Sequence, residues 1–169
     1  MKKNLILLGM MGVGKTTIGR ILSKKQNLEF IDTDEHIERK NSTSINEIFE
    51  KKGEKFFRSE EEKEVLSCLK RSHCVIALGG GAFINKEIRE NILKNGISIW
   101  LDLDLEILNK RIIWNLKRPL LKINNNQKKL KELYENRKDI YKLADHRIQC
   151  DKLNKDSIAK KIIKIYEKY

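Results

Sequence analysis

The chain has 169 residues, of which 40% are apolar and 36% charged, with nine Gly and a single Pro. That is enough for one domain with a core of its own, and it excludes a collagen-like or disordered chain. Lys and Arg outnumber Asp and Glu by 36 to 24, a net charge of +12. The lysines spread from Lys2 to Lys168 along amphipathic stretches such as "AKKIIKIYEKY", so a solvated surface is expected and no nucleic-acid partner.

The first expected element is a buried strand, "NLILLG" (Asn4 to Gly9). Lys2 and Lys3 before it imitate a signal peptide, but the apolar run is short, no small-residue cleavage site follows, and "GVGKTT" comes next. A helical pattern, "KTTIGRILSKKQ", leads to a second strand, "LEFID" (Leu28 to Asp32). Helical "SINEIFEKKG" and "SEEEKEVLSCLKRS" precede the third strand, "CVIALGG" (Cys74 to Gly80). "NKEIRENILKNG" predicts a helix capped at Gly96, followed by the strand "ISIWLDL" (Ile97 to Leu103). Helical "DLEILNKRIIWN" and "NQKKLKELYENRKDIYKLA", the strand "HRIQC" (His146 to Cys150) and helical "KDSIAKKIIKIYEKY" complete the chain.

Strands alternating with helices imply βαβ units. The expected fold is α/β: three layers, with a five-stranded, mostly parallel sheet flanked by helices on both faces. No stretch approaches the roughly 20 apolar residues of a membrane span, so no membrane partner is expected. No repeat or linker divides the chain, so a single domain over 1–169 is expected. Leu116 to Lys129, with its Asn run and Pro119, is the least regular stretch and reads as a mobile lid, bounded at about 112–128. Cys68, Cys74 and Cys150 are odd in number and form no C-x-x-C. Neither disulfide nor zinc site is expected, and a reducing cytoplasm is the expected location. His36, His73 and His146 show no metal-ligand spacing.

"GMMGVGKT", Gly9 to Thr16, matches G-x-x-x-x-G-K-[ST] in full, after a strand and ahead of a helix. Glycines let backbone N–H groups converge on phosphate oxygens, and the helix turns its positive end toward the anion. Lys15 can reach β- and γ-phosphates, and Thr16 offers a hydroxyl to Mg²⁺. The chain is therefore expected to bind a nucleoside triphosphate with Mg²⁺. It has no D-x-x-G switch with N-K-x-D, as a GTPase would. A small-molecule kinase is the natural reading.

Asp32 ends an apolar strand, as a Walker B acid does, and can serve the magnesium shell. If the chain stays extended, Asp34 points the same way, roughly 6.5 Å on, where it could orient an acceptor hydroxyl and take its proton. Alternatively, Asp34 caps a helix that begins near Glu35. Arg58 in "KFFRSEEE" has the fork geometry for a carboxylate. Gly79, Gly80 and Gly81 follow the third strand, at the sheet edge where ligands bind in open α/β folds.

Taken together, "GMMGVGKTT", "DTD", "FR" with "EE" just after it, "GGG", "RPLL" and "NRKDIY" give a chain that resembles the shikimate kinase family along nearly its whole length. The resemblance implies transfer of the ATP γ-phosphoryl group to the 3-hydroxyl of shikimate in aromatic amino acid biosynthesis. A monomer is expected, with a substrate-binding segment over about 33–62. Asp34 would bind shikimate hydroxyls and act as base, Arg58 and Arg137 would hold the carboxylate, and Gly79, Gly80 and Gly81 would line the substrate. Gly12, Val13, Gly14, Lys15, Thr16 and Thr17 would hold the phosphates, with Thr16 and Asp32 on the metal. Arg118 would be the lid arginine, catalytic with Lys15 and Asp34, and Arg111 would stack on adenine. Glu61 fits an acid supporting the substrate arginine. The family often carries a Pro-containing loop near adenine after the last strand, whereas "QCDKLNKDS" has no Pro. The rivals are a gluconate or nucleoside monophosphate kinase on the same scaffold, and a non-enzymatic nucleotide-dependent module.

Overall fold

A computed structural model describes residues 3–114 and 126–169. Its five strands are β1 (Asn4–Leu8), β2 (Glu29–Asp32), β3 (Cys74–Ala77), β4 (Gly96–Asp102) and β5 (His146–Gln149). They lie in the order β2-β3-β1-β4-β5, and every pairing is parallel. All residues of β1, β3 and β4 are buried, as expected of strands covered on both faces. Leu5, Ile6 and Leu7 on the central strand are fully enclosed. Each such side chain contributes roughly 1.5–3 kcal/mol by leaving water.

Seven helices are found among the described residues: α1 (Lys15–Gln26), α2 (Thr33–Asn41), α3 (Ile45–Leu69), α4 (Lys86–Asn95), α5 (Leu105–Trp114), α6 (Asn126–Tyr141) and α7 (Lys155–Tyr166). α1 packs against α7, α2 against α3, and α5 against α6. The two helical patterns between β2 and β3 are one long element, α3, interrupted where Gly53 takes φ 82 and ψ 168. Ser44 opens it with a capping box: its hydroxyl accepts from Glu47 N, and the Glu47 carboxylate accepts from Ser44 N at 3.2 Å. Those bonds and one from the Thr43 hydroxyl hold Glu47 down at a pKa of about 2.

Gly96 closes α4, but in an extended conformation (φ −128, ψ −174), and it is already the first residue of β4. Glycine is needed there for space, because a Cβ would lie 2.3 Å from Ile6 Cδ1. The main core surrounds the sheet. A small second cluster of Ile37, Ile48 and Phe57 sits between α2 and α3. The three cysteines are free and buried, and among the described residues no helix is long and apolar enough to cross a membrane.

Candidate active site

β1 lies between β3 and β4: its own connection runs to the β2 side and that of β3 crosses to β4, which opens at their carboxyl ends the crevice where open α/β sheets bind ligands. A cleft of about 1120 Å³ opens there. Among the described residues it gathers Gly12, Gly14, Lys15, Thr16, Thr17, Asp32, Asp34, Arg58, Gly79, Gly80, Gly81, Arg111 and Arg137, so that nearly all the sequence candidates share one wall or the other. The Val13 side chain turns into the core instead, leaving only its backbone to the loop. Arg118 and the centre of the lid stretch, 115–125, lie outside the described residues.

At the phosphate end, Gly12 (φ 79) and Gly14 (φ 105) take the left-handed backbone that favours glycine. Gly14 is the N-cap of α1, which places the helix's unpaired N–H groups at the cleft. Lys15 Nζ donates to the carbonyls of Gly9 (2.8 Å) and Met10 (3.0 Å). Thr16 Oγ1 donates to Asp32 Oδ2 at 2.7 Å, joining the loop to the end of β2. A hydroxyl and a carboxylate so placed form a hard oxygen donor pair of the kind Mg²⁺ takes. Arg111 stands on α5 with Nη1 3.4 Å from the Val13 carbonyl.

The chain does not continue extended past Asp32, as one reading of "DTD" required. α2 starts at once, and Asp32 is its N-cap: Oδ1 accepts from Asp34 N (3.1 Å) and Glu35 N (3.3 Å). The alternative, with Asp34 as cap, fails for the same reason. Asp34 occupies the first turn, where its negative charge meets the helix's positive end, and it lines the cleft from there.

The other end of the cleft is built from charges. Arg58 Nη1 donates to Glu61 Oε2 at 2.8 Å, while Nε and Nη2 donate to Glu54 Oε1 at 3.3 and 3.1 Å. Burial works to lower the Arg58 pKa, but Glu61 and Glu54 outweigh it and hold it above the ordinary value. Glu61 is only 2% exposed and Arg137 only 8%. Burial raises the Glu61 carboxyl above the usual range, against the pull of Arg58 and Arg137. Glu61 Oε1 and Arg137 Nη1 are buried with no hydrogen-bond partner among the described residues. Such atoms are rare in folded proteins and mark a place where a ligand can complete the bonding.

Gly79, Gly80 and Gly81 touch these charges. A Cβ on Gly79 would lie 2.6 Å from Asp34 Oδ1 and 2.7 Å from Glu61 Oε1. On Gly80 it would lie 3.3 Å from Arg137 Nη1, and on Gly81 2.5 Å from Arg58 Nη1. The run is thus a smooth floor that lets two carboxylates and two guanidiniums converge.

Other residues in or beside the cleft were given no role from the sequence, although Phe57 and Tyr141 lie within the quoted "FR" and "NRKDIY". Phe49 and Phe57 form an apolar wall, Lys110 adjoins Arg111, and Lys155 reaches the cleft from the start of α7. Tyr141 lies beneath the glycine run; its place four residues after Arg137, on the same helical face, was the available signal.

A phosphate loop at the switch point of a parallel sheet, beside a pocket of paired acids and arginines, defines a P-loop phosphotransferase acting on a small anionic molecule. The family model described as "Shikimate kinase" matches residues 11–167. A shikimate kinase of Bartonella quintana is 42% identical over 168 residues, covering 99% of this chain and 80% of that one. Among solved structures, shikimate kinase from Acinetobacter baumannii in complex with shikimate is similar with TM-score 0.93 and 35% identity, covering 98% of this chain and 93% of that one. Shikimate kinase from Aquifex aeolicus gives TM-score 0.85 and 32% identity, over 97% and 96%. The chain belongs to the shikimate kinase family and is an ATP-dependent kinase.

Proposed function

We propose that this chain moves the γ-phosphoryl group of ATP to the 3-hydroxyl of shikimate, giving shikimate 3-phosphate and ADP, and that the two ends of its cleft divide the work. The observation that carries the reading is the pairing of a complete phosphate loop with an arginine-and-acid pocket at the same sheet edge. Gly12 to Thr17 hold the triphosphate, and Arg111 borders the nucleotide. Arg58 and Arg137 take the substrate carboxylate, a role supported by the unfilled Arg137 Nη1. Asp34 orients the acceptor hydroxyl and accepts its proton, and Gly79, Gly80 and Gly81 line the ring.

The transition state of phosphoryl transfer is loose and carries its charge on the equatorial oxygens. Lys15 and Arg118 neutralise that charge; each such contact is worth roughly 10²–10³ in rate. Thr16 and Asp32 would hold Mg²⁺, which supplies further charge neutralisation on the phosphates when bound. Asp34 works mainly by alignment, so that a single oxygen faces the phosphorus. Closure of the lid over about 112–128 keeps water out of the reaction. We take the protein to be a single domain acting as a monomer in the cytoplasm, where the three free thiols stay reduced.

Coupled ATPase assays with shikimate, gluconate and a panel of nucleoside monophosphates test the assignment. Turnover dependent on shikimate alone is expected. Turnover with gluconate or a monophosphate and none with shikimate would overturn it.

A further inference from the structure

We propose that Tyr141 is a positioning residue for the acid-binding end of the cleft, holding the Gly79–Gly81 floor in place through its buried hydroxyl. The role rests on the shikimate reading above for its kinetic consequence, but its structural part stands alone.

Tyr141 is the last residue of α6 and is fully buried. Its hydroxyl donates to the carbonyl of Gly80, with Met10 Sδ at 3.9 Å on its other side. It therefore sits between the glycine floor and the residue that follows Gly9 in the phosphate loop. The ring rests against Trp100 of β4, centroids 5.9 Å apart. Arg137 precedes it by one helical turn, on the same face. Burial pushes the Tyr141 phenol up to about 12, while the Arg137 charge works the other way; the group stays protonated and remains a donor at any working pH.

Gly80 has no side chain to anchor it, and glycine is the residue whose backbone is freest. What fixes the three-glycine run must come from outside it. At its ends, Gly79 N donates to Thr33 Oγ1 at 3.1 Å, Ala82 N donates to Gly79 O and Ile84 N donates to Gly81 O. At its middle the Tyr141 hydroxyl supplies the bond to Gly80 O. The same helix supplies Arg137. One rigid element thus sets both a substrate-binding cation and the floor a substrate ring must lie on. Removing the hydroxyl loosens the middle of the floor and the side of Arg137 it meets, while the Tyr141 ring stays in place.

The test compares Tyr141→Phe with Tyr134→Phe. Tyr134 stands on the same helix, and its hydroxyl donates to Asp102 at 3.2 Å, outside the cleft. Both changes delete one tyrosine hydroxyl, so both lower Tm. A lost hydrogen bond is worth roughly a five- to tenfold change in an equilibrium. Tyr141→Phe is expected to raise the KM for shikimate by about that factor, leaving kcat and the KM for ATP within about twofold, while Tyr134→Phe leaves all three unchanged. Hydrogen exchange of the amides at 79–82 should also quicken in Tyr141→Phe and not in Tyr134→Phe. Unchanged KM and unchanged exchange, or equal effects from both variants, overturn the proposal. If the wild type does not turn over shikimate, the assignment of substrate has failed, and exchange at 79–82 alone decides whether Tyr141 fixes the floor.

Discussion

The two ends of the cleft use glycine for different physical reasons. In the phosphate loop, Gly12 and Gly14 are needed for their backbone, since both have positive φ. Gly79, Gly80 and Gly81 take no positive φ; Gly81, at φ −97 and ψ −14, adopts a conformation open to any residue. There the missing Cβ matters, because the space it would fill belongs to Asp34, Glu61, Arg137 and Arg58. One end is shaped by what the main chain can do. The other is shaped by which side chains must meet.

That contrast can be broken most forcefully at the acid end. Asp34→Asn should keep nucleotide binding and lose roughly 10²–10⁴ in turnover, the usual share of a positioned acid or base. Nucleotide titration beside a coupled assay measures both, and near-normal turnover would remove Asp34 from the reaction. A sharper test exchanges glycines for alanine at each end. Gly81→Ala should displace the Arg58 guanidinium from Glu61, raise the KM for the acid substrate about tenfold and leave the KM for ATP unchanged, with Tm lowered through that buried pair and not through main-chain strain. Gly14→Ala strains the main chain and should cost about 1–2 kcal/mol of stability, together with a weaker KM for ATP. The same KM changing in both variants would erase the distinction.

The smallest expected effect lies away from both ends, at the start of α3. Glu47 is depressed from its ordinary value to about 2, so the native state binds its proton later than the unfolded chain does. Its contribution to stability is therefore present above about pH 4.5 and lost as pH falls toward 2. Glu47→Gln should lower Tm slightly at neutral pH. The gap to wild type should close across that acid range, and high salt should narrow it, since the group is exposed. A gap that does not change with pH would mean the capping bonds, not the charge, carry the effect.

Much of this architecture can be read from the residues. Each of the five expected strands is found, and the runs of β1, β3 and β4 are apolar along their length because those strands are buried on both faces, whereas the edge strands β2 and β5 each bury a single residue. The phosphate loop declared itself through spacing, since its contacts are local. The error at "DTD" is instructive. Asp followed by further acids is also how a helix begins, and the cap chemistry of Asp32 won over continuation of the strand. The break at Gly53 was visible, but not the return to helix just after it, which requires no signal beyond good helix formers. Glu61 entered the sequence reading only through family resemblance. Nothing local separates it from Glu60 and Glu62. Only the packing of α3 against the glycine floor puts it at 2% exposure while its neighbours pair outward or with Asn85.

The cluster of Ile37, Ile48 and Phe57 is small and separate from the core around the sheet. The arm made by α2 and the first turns of α3 therefore has its own modest foundation, while the phosphate loop is bolted to the most deeply enclosed strand. Under gentle perturbation the arm is the part that loosens first. Such an enzyme forgets which alcohol it was meant to accept before it loses its hold on its fuel.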